Sequence, residues 1–353
     1  MTKRPLLPLD PLTRIRVERF KSIKRGYWSL LAVLILLGLS IFAELLVNSR
    51  AVAVWQGGKL RFPTYAPVIP GKAFGLDYDY ETNYRELAAK LKGREPGWVI
   101  LPLVPFNAFE QEFREGSYPP YAPSISTRHY LGTDAIGRDI VARLVYGFRI
   151  AMGFSLIYVT ATFLIGVLLG CLMGYRGGAF DIVMQRIIEI IDQIPFLYVV
   201  MILVSIFKPN FILFVSIYVV FSWTGKTYAV RAMTYRERER DYVVAARAMG
   251  ASTWRIIANH IVPNVLVVIV TMIPFAVSGG ISSLTVLDYL GFGLPPPTPS
   301  WGELISQGVS QFRTAPWILW SVISAMSSVL IMIAFVGEGL RDAFDPKKFT
   351  VYK

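Results

Sequence analysis

The sequence predicts an all-α integral membrane protein of six transmembrane helices, with a long mixed insertion outside the membrane between spans one and two. Three observations predict it. Of 353 residues, 54% are hydrophobic and only 17% charged, a balance unlike that of soluble domains. The apolar residues fall in runs that approach the ~20 residues needed to cross a bilayer. The basic residues concentrate in the short segments that six spans place on one side, the cytoplasmic side by the positive-inside rule.

The N-terminal tail, residues 1–26, carries Lys3, Arg4, Arg14, Arg16, Arg19, Lys21, Lys24 and Arg25. Leu12, Ile15, Phe20 and Ile23 share one helical face there. That pattern suits a helix on the inner membrane surface, or a charged flank that only orients span one. The first span, within residues 27–49, is the run Tyr27–Val47, broken only by Glu44. It is too long for a cleavable signal peptide, and no small-residue cleavage site follows, so it reads as retained.

Residues 50–130 form the external insertion. Its prolines and aromatics, among them Pro63, Pro67, Pro70, Tyr65, Trp98, Phe106 and Tyr121, argue for order, because disordered segments are poor in aromatics. The chain's one cysteine, Cys171, lies in a span, so the insertion folds without a disulfide. One helix is readable: Asn83 caps it, Glu86 follows three residues on, Tyr84, Leu87, Ala88 and Leu91 share a face, and Gly93 stops it. The rest reads as turns and short strands. An ordered insertion of this length contacts a partner or shields the spans.

Residues 131–346 hold five spans: Ile150–Gly174, Ile194–Phe207, Phe211–Thr224, Asn264–Leu287 and Trp317–Val336. Two of them, Ile194–Phe207 and Phe211–Thr224, are short and extend into helical flanks. Gly166, Gly170 and Gly174, four apart, let another helix approach closely. Before span three, Gln185, Arg186, Glu189, Asp192 and Gln193 make a polar stripe that faces water or a partner. In the fifth span Pro274, Ser278, Ser282 and Ser283 are candidates for lining a pathway, and they equally fit helix packing. With six spans both termini are cytoplasmic, including the basic tail at 347–353. The net charge of +12 sits beside the bilayer, which suits membrane lipid and argues against nucleic acid.

The residues offer no catalysis. His129 and His260, the only histidines, fall on opposite sides of the membrane, so no zinc set forms. Gly225-Lys226-Thr227 has Val220 where a phosphate-binding loop needs glycine. Asp134 and Asp139 read as local pairing groups, with Asp134 or Thr133 capping the helix that enters span two.

The most informative segment is the cytoplasmic loop within 225–263. Asp241 to Met249 reads as a short helix, Gly250 as its left-handed stop and Ser252 as the cap of a second helix. Pro263 sits near the start of span five. Two short helices at an angle are expected, with Ala245, Ala246 and Ala248 leaving room for a partner's surface and Arg247 and Arg255 as its charged contacts.

Ala245-Ala246, three residues, Gly250 and then Pro263 resemble the coupling loop of binding-protein-dependent ABC importer permeases, with Val244 where that family carries glutamate. Three further segments resemble the second permease subunit of its dipeptide, oligopeptide and nickel group. They are Leu131–Asp139 with Arg143, Gly147 and Arg149; Leu290–Pro297 with Pro299-Ser300-Trp301-Gly302; and Gly337–Pro346. The Arg25–Leu30 stretch and the long insertion are similar to the Yej-type oligopeptide branch. The resemblance implies a multi-pass permease of the bacterial inner membrane that forms half a peptide path and works by alternating access. It implies a homologous second permease subunit, an extracytoplasmic substrate-binding protein, and separate ATPase subunits that dock at Ala245, Ala246, Arg247, Gly250, Ser252, Arg255 and Pro263. ATP and Mg would sit on the ATPase, with no cofactor in this chain. Related permeases carry nickel, sugars or opines, and a self-sufficient secondary transporter is a more distant alternative.

Overall fold

The computed structural model describes residues 11–94 and 97–345. Lys3, Arg4 and the 347–353 tail lie outside the described residues, as does the side chain of Leu12. Among the described residues, five helices are long and apolar enough to cross a membrane, six if one bent pair is counted as a single span. The chain runs through α1 (Pro11–Ser22), α2 (Lys24–Ile41), α3 (Ala43–Leu46), β1 (Ala53–Gln56), β2 (Lys59–Arg61), α4 (Tyr84–Arg94) and β3 (Gly97–Ile100). It continues through α5 (Ile140–Arg176), α6 (Gly178–Asp192), α7 (Phe196–Ile206), α8 (Phe211–Arg238), α9 (Asp241–Ala248), α10 (Thr253–Ile256), α11 (Val262–Tyr289), α12 (Trp301–Ser310) and α13 (Pro316–Phe344).

Several boundaries differ from the sequence expectation. Span one breaks at Phe42, and Val47 ends it in an extended conformation. The third span is not one helix: α6 and α7 meet at 68°. Pro195 causes the break. It is extended (ψ 106°), has no N–H to give α6, and disfavours helical geometry at Ile194 before it. The fourth span runs on from Thr224 to Arg238, so Lys226, Arg231, Arg236 and Arg238 belong to a helix and not to a loop. In the insertion, α4 passes Gly93 to end at Arg94.

The contacts divide the chain into two units. One comprises the residues up to Val33, Gly153–Ser283 and those from Val329 on. Here the three-glycine stripe of α5 lies on α8. A Cβ on Gly166, Gly170 or Gly174 would come within 2.7 Å of Lys226 Cβ, Thr227 O or Thr234 Cβ, so the glycines bring the backbones together. A second bond ties α6 to α8. Arg231 donates to both carboxylate oxygens of Asp181 at 2.5 and 2.6 Å, and the Tyr235 hydroxyl adds a third contact at 2.6 Å. Gln185 donates to the same carboxylate at 3.1 Å, and Arg186 pairs with Glu189. The polar stripe before α7 therefore spends part of its polarity inside the chain. Because Asp181 is buried, Asp181→Ala should cost about 3 kcal/mol by stranding Arg231. Thermal melting in nanodiscs checks this, and a cycle with Arg231→Met should show strong coupling between the two positions. In α1, Phe20 is buried and Arg16 lies over the Phe344 ring at 5.2 Å, while Ile15 stays exposed.

The other unit comprises Leu34–Met152 and Leu284–Ser328. Its antiparallel sheet has the order β2-β1-β3. Gly57 and Gly58, with φ of 56° and 73°, close the β1–β2 hairpin in the conformation such turns require. Val54, Phe74, Leu76, Tyr84, Leu87 and Leu91 form a core between the sheet and α4. Asn83 caps α4 as expected, accepting from Arg85 N and Glu86 N. Glu86 does not reach back to Asn83 directly; the Tyr78 hydroxyl stands between them, accepting from Asn83 N at 3.1 Å and donating to Glu86 at 3.1 Å. A second core of Ala43, Val47, Val104, Phe106, Ala142 and Tyr146 joins the insertion to the outer end of the first span.

The segment from 129 to 143 is densely charged. The cap of α5 is Asp139, which accepts from Ala142 N at 2.8 Å, and not Asp134 or Thr133. Asp134 instead accepts from Ile136 N, Arg138 N and Arg138 Nε, and Arg138 and the fully buried Arg143 converge on Glu303 of α12. This is local and long-range pairing, without a catalytic carboxylate pair. Buried His129 lies between Asp139 (2.7 Å) and Glu112 and stacks on Phe106. Burial opposes charge on its ring, but the two carboxylates outweigh it and raise its pKa above 6.5. A raised folded pKa gives stability that is complete below the unfolded value and lost as pH rises through the folded one. Limited proteolysis at residues 112–139 should therefore accelerate as pH is raised from 6 toward 9, and His129→Gln should abolish that dependence.

Candidate coupling site

The site begins where α8 leaves the apolar region. After Arg238 the chain turns once and enters α9. Its end is a full Schellman motif: Gly250 N donates to Arg247 O at 3.0 Å and Ala251 N to Ala246 O at 3.1 Å, with Gly250 at φ +80°. Ser252 then accepts from Arg255 N at 3.4 Å, the expected cap. The second helix is not separate, however. α10 passes through a π turn at Ile257–Ile261 into α11, and Thr253–Tyr289 is continuous. Pro263 therefore does not open a helix. It lies just past the π turn, in which Val262 N reaches back to Ile257 O, and the Asn264 side chain bonds the His260 carbonyl at 2.8 Å. The widened turn leaves the proline's missing N–H without an orphaned partner.

Along α9 the faces are unequal. Val243 and Ala246 are buried, so Ala246 packs inward and does not form the small outward surface expected of it. Ala245, Arg247, Ala248, Gly250, Ser252, Arg255 and Pro263 are exposed. Arg247 lies over the Tyr175 ring at 5.3 Å, so its charge is partly engaged within the chain. The most prominent apolar group is Met249, 81% exposed, and Val244 and Trp254 are exposed as well. Val244, where the resembled family has glutamate, thus sits on the outward face as an apolar contact.

One residue escaped the sequence reading. Tyr242 donates its hydroxyl to Glu237 at the end of α8 and accepts from Asn264 of α11 at 3.0 Å. Its ring lies 6.2 Å from that of His260. Desolvation and then Glu237 push its pKa up to about 12, so it is a neutral donor at physiological pH. A single side chain on α9 therefore grips both flanking helices. No local pattern could have marked it, because Asn264 lies 22 residues away.

The pathway candidates share α11. Pro274 is buried and interrupts its hydrogen-bond ladder. Ser278 has a buried hydroxyl without a partner, and Ser282 and Ser283 are half-buried. Lys226, the lysine of the rejected nucleotide motif, donates to the Tyr158 hydroxyl at 3.1 Å from within a helix. No group of metal-binding side chains occurs among the described residues.

Residues 166–350 match the family model described as the binding-protein-dependent transport system inner membrane component. The chain is 37% identical to the peptidoglycan transport system permease protein YejE of Agrobacterium fabrum, over 98% of this chain and 95% of that one. It is 38% identical to the inner membrane ABC transporter permease protein YejE of Escherichia coli, over 96% and 98%. It is 35% identical to the oligopeptide transport system permease protein OppC of Haemophilus influenzae, over 70% and 80%. These matches place the chain in the family of binding-protein-dependent ABC importer permeases, multi-pass inner-membrane subunits that work with an ATPase and a substrate-binding protein.

Proposed function

We propose that this chain forms half of a peptide translocation path together with a homologous second permease, and that α9 is the surface gripped by the ATPase. The peptide cargo rests on the relatives, whose named cargoes, oligopeptide and peptidoglycan, share peptide chemistry. The grip rests on one observation: α9 ends at Gly250 with Met249 and Val244 outward and is tied by Tyr242 to α8 and α11. ATP-driven closure of the ATPases would move α9, and Tyr242 would pass that displacement to both helices, opening the path outward. Hydrolysis would reverse it. Pro274, Ser278, Ser282 and Ser283 are the proposed lining, and α1 the proposed interfacial helix.

The test is uptake of labelled oligopeptides into proteoliposomes holding both permeases and the ATPases, with the binding protein supplied. Uptake should require every component and ATP. Calorimetry showing that the binding protein takes nickel or a sugar and no peptide would overturn the cargo, and ion-driven uptake by this chain alone would overturn the mechanism. Tyr242→Phe should keep ATPase co-purification while lowering uptake per ATP about tenfold, the effect of roughly 1.4 kcal/mol lost from a hydrogen-bonded link.

A further inference from the structure

The insertion sheet has one face on its core and one on which the central Ala53 is buried but the flanking strands are exposed. Register sets the faces: Trp55 pairs with Leu60 on one side and Trp98 on the other, and Ala53 with Ile100. These residues share a face opposite Val54 and Val99, which belong to the core with α4. The free face of an antiparallel sheet is ordinarily polar. Here Leu60 is 51%, Trp98 44% and Ile100 51% exposed, with Phe62 beyond at 61%.

We infer that this sheet face lies on the outer surface of the bilayer, with Trp98 and Ile100 in the headgroup region. Three observations favour lipid over protein. The face continues from a membrane helix: β1 starts seven residues after α3 ends, at most about 25 Å of chain, and Val47, at the end of that span, is bridged to Val104 beyond β3. It carries no charged side chain: residues 51–68 and 97–109 contain no acidic residue, and Lys59 and Arg61 fall by register on the opposite face. Its aromatics suit an interface, where tryptophan concentrates. A binding protein that docks and leaves would return this apolar face to water in every cycle, whereas the bilayer covers it permanently.

The inference rests on the insertion being extracytoplasmic, and the experiment reads that separately. Nitroxide labels at Ile100→Cys and at Lys92→Cys, on α4, are introduced into a Cys171→Ala chain. The complete transporter is then placed in nanodiscs of phosphatidylethanolamine and phosphatidylglycerol. Relaxation by oxygen relative to a water-soluble nickel chelate should be severalfold higher at position 100 than at position 92. A ratio at 100 equal to that at 92 overturns the proposal, as does low accessibility to both reagents, which would mean a protein cover. In spheroplasts, an impermeant maleimide should label the Lys92→Cys chain; its failure would indict the topology and not the sheet face.

Discussion

Replacing Gly170 with leucine is expected to abolish transport and to destabilise the membrane core. The reason lies in backbone distance. A Cβ at Gly170 would stand 2.7 Å from Thr227 O and 2.7 Å from Val230 Cβ, so the first added carbon already meets main chain. Membrane helices lack a hydrophobic drive toward one another and hold by close packing. Leucine would force α5 and α8 apart along the whole stripe, and overpacking of this kind costs about 3 kcal/mol or more. Separation would also strain the neighbouring ties, including Arg238 Nη1 to Gly174 O at 3.3 Å. The measurement is melting of the purified transporter with uptake in parallel. Gly170→Ala should lie between wild type and leucine, and a leucine variant with unchanged melting would refute the packing account. Gly225, which has nothing within 4 Å of its Cβ position, serves as the control: Gly225→Ala should leave melting within about 0.5 kcal/mol.

The glycine stripe was legible because packing at four-residue spacing leaves a local trace. Asn83, Ser252 and Gly250 were legible for a similar reason, since a cap acts on residues three or four away. The break at Ile194–Pro195 had its own local signal, but the sequence reading starts span three at Ile194 and does not set the polar stripe before it apart as a separate bent helix. The charged groups were harder. Asp134 and Asp139 could be seen to pair locally, yet Arg138 and Arg143 close on Glu303, more than 150 residues away. Ala246 shows the same limit. Its small size was evident, but the direction it faces is set by which side of α9 Val243 buries. The π turn before Pro263 also depends on the helix having already begun at Thr253, which proline's preference for a first helical turn obscured.

The second large effect is expected at Gly250. Replacing it with tryptophan should abolish uptake and ATPase co-purification while leaving the subunit folded. These outcomes separate because the position is open: apart from its chain neighbours, no atom of the described residues lies within 4 Å of a Cβ there. The cost within the chain comes only from the left-handed conformation, φ +80°, about 1–2 kcal/mol for any L-residue. Gly250→Ala carries that same cost with one added carbon. It should lower the melting temperature slightly and retain docking. Gly250→Trp carries the same backbone strain and adds an indole directly beside Met249, on the face proposed to enter the ATPase groove. A difference between the two variants therefore measures the room available in the partner and not the stability of the turn. If Gly250→Trp transported and co-purified like Gly250→Ala, α9 could not be the gripped element, and the role assigned to Met249, Val244 and Tyr242 would fall with it. If alanine alone abolished both, the requirement would lie in the backbone geometry of the Schellman turn. Asn at 250, which tolerates the left-handed conformation better than alanine, should then restore activity.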